Sequence, residues 1–107
     1  MAAFGFALAF ETSLSLQEMV ERLNLQNARW KWVEWQNDKW GDYVRGIAKT
    51  NGDPSFKILY DDDINSWALN TSYDHQARAE MDEIVETKIL PSLGATNVKK
   101  VSDDYSS

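Results

Sequence analysis

A chain of 107 residues, 43% hydrophobic and 26% charged, is sized and composed for one globular domain with one core, which excludes the disordered and fibrous classes. It has no cysteine, which excludes thiol catalysis, disulfide scaffolds and thiolate metal sites and leaves a cytoplasmic location as the expectation. The net charge of −6 resides wholly in residues 58–107, so neither nucleic acid nor an anionic membrane is an expected partner.

The first ten residues are apolar enough to resemble a signal-peptide core, but no base precedes them and Glu11 ends them. Phe4, Phe6, Leu8 and Phe10 alternate with Gly5, Ala7 and Ala9, which predicts a first strand. No segment approaches the ~20 apolar residues needed to span a bilayer.

Ser15 and Glu18 have the spacing of a capping box, in which each side chain satisfies the other's backbone amide. Leu16, Met19, Val20 and Leu23 then recur on one helical face, which predicts a helix from Leu16 to about Asn24, with Asn24, Gln26 and Asn27 marking its end.

The middle third reads as four strands. Residues 29–36 carry Trp30 and Trp32 on one face and Val33 and Trp35 on the other. A turn over residues 37–41 leads to a strand at 42–49. Asn51-Gly52-Asp53-Pro54 is the strongest turn signal in the chain, because Asn-Gly suits positive φ and proline cannot donate to a ladder. Residues 55–60 and 66–73 form the next two strands, and Asp61-Asp62-Asp63 separates them. Short connections between sequential strands predict an antiparallel meander.

Asp74 stands where it can cap a second helix over residues 75–90, with Ala77, Met81, Ile84, Val85 and Ile89 as its apolar stripe. Pro91 falls near its end and disfavours the α conformation at Leu90, and Gly94 is its ready C-cap. Residues 97–101 form a short last strand, and 102–107 a frayed tail. The order β-α-β-β-β-β-α-β predicts a single α+β domain, an antiparallel sheet of five or six strands with two helices on one face. A ferredoxin-like arrangement with extra meander strand is the leading topology.

The chain holds one histidine, His75, read as a surface or capping residue rather than a general base. Asp61, Asp62 and Asp63 invite a calcium reading, but Ser66 and Ser72 stand where an EF-hand needs glycine and glutamate. No metal or other cofactor is expected. Asn70-Thr71-Ser72 satisfies a glycosylation sequon without secretory context.

Trp30, Trp32, Trp35 and Trp40 are the unusual feature. If helices cover one face only, large side chains on the second face of the first Trp-bearing strand need another cover or form a contact surface. These four tryptophans, with Asp61, Asp62 and Asp63 as steering charges, are the expected partner-binding residues. The expected function is a non-enzymatic protein-binding module that docks on a basic partner surface. In character it resembles an acidic inhibitor or an immunity-type protein. One alternative is a small-molecule-binding protein or cofactor-free enzyme, paired into a homodimer of the dimeric α/β-barrel type. A structural or regulatory subunit is the other.

Overall fold

The computed structural model describes residues 3–38 and 41–106. Its strands are β1 (Ala3–Glu11), β2 (Trp30–Asn37), β3 (Gly41–Ala48), β4 (Phe56–Asp61), β5 (Ser66–Asp74) and β6 (Thr96–Ser106). Its helices are α1 (Leu16–Gln26), α2 (Arg78–Ile84) and the single turn α3 (Leu90–Ser92). All strand pairs are antiparallel, in the order β2-β3-β4-β5-β1-β6. The expected α+β order and meander are both present. Six strands are two more than the β-α-β-β-α-β order of a ferredoxin-like domain contains.

Helix α1 begins as its sequence requires. The Ser15 hydroxyl accepts from the Glu18 amide at 3.2 Å, and the Ser15 amide donates to Glu18 Oε1 at 3.0 Å. The helix ends at Gln26 with Asn27 as its C-cap, within the expected stretch 24–27, and the Asn24 side chain grips the main chain of β2. Its Nδ2 donates to the Trp32 carbonyl at 2.9 Å, and its Oδ1 accepts from the Trp32 amide at 3.0 Å. Edge-strand groups that would otherwise stay open are thereby paired.

The second helical segment is continuous but not uniform. A 3-10 turn, His75–Ala77, opens it, and a π turn, Val85–Ile89, joins α2 to α3. Pro91 lies near the end of the segment as expected, one residue before its last, but Leu90 before it keeps the α conformation. Proline lacks an N–H and crowds the carbonyl four residues earlier, and the wider π turn just before it relieves that crowding. Gly94, at φ 60, closes the segment as expected, with the Ala95 amide donating to the Leu90 carbonyl. Strand β6 is longer than the sequence suggests, because β1 offers it partners from Glu11 back to Ala3.

One core lies between the helices and the sheet. Met19 and Leu23 of α1, with Met81, Val85 and Ile89, meet Phe10, Trp30, Trp32, Val44, Phe56, Ile58, Leu69 and Tyr73. Strand side chains alternate, so both helical segments cover the same sheet face, called inner here. Its aromatic centre is compact. The Phe56 ring sits 5.2 Å from Trp30, edge-on, and 5.6 Å from Trp32, stacked. Both indole N–H groups find carbonyls, Trp30 at Pro54 (2.7 Å) and Trp32 at Asn27 (3.0 Å). Burying a tryptophan whole carries no unpaired donor here.

Gly46 stands opposite Trp32 in β3, and a Cβ there would lie 2.5 Å from the indole ring. The ring is fixed by its hydrogen bond and by Phe56, so it has no way to yield. Gly46→Ala is expected to destabilise the fold by about 1–3 kcal/mol and to lower Tm by roughly 5 °C or more. Thermal unfolding by circular dichroism checks this, and an unchanged Tm contradicts the packing described.

Arg29 forms a two-pronged bond to Asp53, at 2.7 and 2.6 Å, tying the start of β2 to the β3–β4 turn. That bond holds the Asp53 carboxyl below its ordinary range, against the opposing effect of burial. A carboxyl whose folded pKa is depressed adds stability that is complete above its unfolded value and is lost as pH falls through the folded one. Urea unfolding should therefore lose more stability between about pH 5 and pH 2 in the native chain than in Asp53→Asn. Equal losses would mean that the pair contributes nothing.

Candidate functional site

Strand β2 decides what reaches the surface. Trp30 and Trp32 are each 1% exposed, sealed beneath α1, and are core residues. Trp35, on the outer face, is 47% exposed. Trp40 lies outside the described residues. Of the four tryptophans expected at a contact surface, only Trp35 is therefore available among the described residues.

In an antiparallel meander, every second turn falls at the same end of the sheet. The β2–β3 turn and the β4–β5 turn accordingly share one end, called the tip here. Trp35 pairs with Tyr43 next to this end, and Asp61 pairs with Ser66 at the limit of the β4–β5 ladder. By strand alternation Trp35 and Asp61 also share the outer face. Asp62 and Asp63 are exposed in the turn, where the Asp61 carboxylate accepts from the Asp63 amide at 2.9 Å. The fold thus brings the exposed tryptophan and the three aspartates into one region.

Sequence reasoning missed the rest of the tip. Glu34, Asp38 and Asp42, exposed and from the neutral half of the chain, stand at the same end. Tyr60 is 46% exposed, edge-on to Trp67, and Ile64 is 38% exposed. Among the described residues, no ion pair engages any of these six carboxylates. The signal was available: in an antiparallel meander the β2–β3 and β4–β5 turns fall at the same end of the sheet. By the same alternation Glu34, Asp42 and Tyr60 lie on the helix side of this end, in phase with core residues Val44 and Ile58, while Trp35 and Asp61 lie on the outer side.

Farther from the tip, the outer face changes sign. The Arg45 guanidinium lies 5.5 Å from the Trp35 ring centre, and Lys57 Nζ lies 5.8 Å from that of Tyr43. Arg45 and Lys57 are directly opposite each other across β3 and β4, and Asn70 is opposite Lys57 across β5. Burial holds the Lys57 ammonium below the usual lysine range, and the Arg45 charge adds to the effect.

Other sequence features stay apart from the tip. His75 opens the 3-10 turn, and its side chain lies outside the described part. Asn70 sits half-buried in β5, in the sheet rather than in a loop. Among the described residues no three histidine, aspartate or glutamate side chains converge as a metal ion requires. Among them, too, no helix is long and apolar enough to cross a membrane. A groove of about 720 Å³ runs between the second helical segment and the β1–β6 edge, lined by Leu8, Val85, Leu90 and Val98 with Asp82 and Lys100. Asp82 is already engaged by the Tyr73 hydroxyl and by Arg78.

Fold and site together define an α+β domain with a six-stranded antiparallel sheet, helices on one face and an acidic, aromatic tip. No protein-family model matches the chain, and no curated protein matches it.

The two classes of tryptophan should separate by mutation. Trp32→Ser is expected to cost about 3–5 kcal/mol, as large core truncations do, whereas Trp35→Ser should stay within about 1 kcal/mol of the native chain. Chemical denaturation of both variants checks the difference. A large loss at Trp35 would show that it is part of the core.

Proposed function

We propose that this chain is a non-enzymatic docking module whose tip binds a basic surface on a partner protein. The observation that carries the reading is exposed Trp35 on the outer face at the end of the sheet where Asp38, Asp61, Asp62 and Asp63 also lie, with Glu34, Asp42 and half-exposed Tyr60 at the same end on the other face. Carboxylates gathered at one end steer a cationic partner and raise its association rate. Half-exposed aromatics beside them supply the apolar anchors that most of an interface's affinity comes from. Trp30 and Trp32 have no part in this contact; they hold the strand that carries Trp35.

A narrower form of the reading is an inhibitor of immunity type, which covers a basic active site with its acidic end. A toxin or nuclease gene next to this one would favour that form.

The test immobilises the chain, recovers bound protein from the source cells, and then titrates the purified partner against defined variants. Neutralising the loop as Asp61→Asn, Asp62→Asn and Asp63→Asn keeps the Asp61 side-chain acceptor and removes the charge. It is expected to slow association by roughly tenfold, and raising the salt should do the same to the native chain. Trp35→Ala should speed dissociation and weaken binding by about tenfold or more, with Tm nearly unchanged. A partner that binds all three proteins equally, with no response to salt, contradicts the proposal.

A further inference from the structure

The outer face carries a second feature, away from the tip. One row of side chains crosses the sheet from strand to strand: Val33, Arg45, Lys57, Asn70 and Ala7 are successive register partners. At its centre a guanidinium, an ammonium and a carboxamide stand side by side, about 5 Å apart from strand to strand. Like charges set directly opposite each other in a sheet repel. Two aromatic rings hold them in this arrangement, with Arg45 against Trp35 and Lys57 against Tyr43.

The rows on either side differ in kind. Toward the tip lie Trp35 and its partner Tyr43, then Leu59, Ala68 and Ala9, an aromatic and aliphatic floor. Away from the tip, Ser55 and Ser72 border a groove of about 400 Å³ that Arg45, Lys57 and Asn70 also line. An anion above the central row would receive hydrogen bonds from Arg45, Lys57 and Asn70 and would offset the repulsion of the two cations. A flat apolar body attached to that anion would lie against the exposed part of the Trp35 ring, since Tyr43 is buried beneath Lys57.

We propose that the Arg45–Lys57–Asn70 row is a binding site for a small organic anion, a carboxylate or phosphate group carried on a flat apolar body. The guanidinium offers a planar fork that matches either group, and the ammonium adds a compact charge beside it. The partially desolvated state of Lys57 favours this use, because a bound anion restores its preference for the charged form. The site goes beyond the tip reading; Asp61, Asp62 and Asp63 border it at Lys57 and Asn70, and the two readings are separated by opposite responses to their neutralisation.

The test titrates the native chain with phenyl phosphate, benzoate, inorganic phosphate and phenol, following the Arg45 and Lys57 side-chain signals by nuclear magnetic resonance. One of the two aromatic anions should bind at least about tenfold more tightly than inorganic phosphate or phenol, and which of them does so identifies the anionic group. The doubly neutralised chain, Arg45→Gln with Lys57→Gln, should lose at least about tenfold in affinity while Tm stays level or rises. Arg45→Lys, which keeps the charge and loses the fork, should fall between them. The Asp61, Asp62 and Asp63 neutralisation should tighten anion binding, because those carboxylates line one pocket with Lys57 and Asn70, while it weakens partner docking. The proposal is overturned if no aromatic anion saturates below about 10 mM, if inorganic phosphate binds as well as they do, or if the double variant binds as the native chain does.

Discussion

Everything at the surface of this protein follows from how one edge strand is held. Strand β2 buries two indoles side by side, and each hands its N–H to a nearby carbonyl. Phe56 fills the space between the rings, and Gly46 leaves room for Trp32 to lie flat on β3. A shift of one residue in the register would turn both indoles outward and bring Val33 and Trp35 in. That exchange would forfeit two large buried side chains and their hydrogen bonds. Asn24 adds a lock from the helix side by pairing with both main-chain groups of Trp32.

With β2 fixed, the outer face is determined. Trp35 can only face outward, next to Tyr43 and under the Arg45 guanidinium. Short turns fold the next strands back on themselves, so two acidic segments far apart in the chain come to one end. The charge imbalance between halves of the sequence is therefore not how charge is arranged in space. Glu34, Asp38 and Asp42, from the neutral half, join Asp61, Asp62 and Asp63, while Arg45 and Lys57 form a basic strip one row of side chains away. On the outer face Asp61 at the tip and the Arg45–Lys57 strip give the surface a direction, which a uniformly acidic surface lacks.

Local chemistry was readable from the residues alone. The Ser15–Glu18 box, the turn at Gly52 and the cap at Gly94 each depend on one or two neighbours, and all three formed. Alternation also sorted the tryptophans of β2 correctly into two faces. What alternation cannot tell is which face the helices choose. Trp30 and Trp32 were grouped with Trp35 as contact residues for that reason, and packing with α1 separated them. The helical conformation of Leu90 before Pro91 was hidden too, since it follows a π turn that no single residue announces. The length of β6 was set by its partner β1 rather than by its own polar sequence. Half of the tip's carboxylates went unnoticed because their proximity is a property of the meander.

Hydrogen exchange at the indole N–H groups tests the two-sided role of β2 most directly. Opening of buried core groups follows global unfolding, whereas exposed groups exchange without it. Trp30 and Trp32 are expected to exchange slowly, with protection that falls in step with overall stability as denaturant is added. Trp35 is expected to exchange almost freely under native conditions. Strong protection at Trp35, or free exchange at either Trp30 or Trp32, would contradict the account.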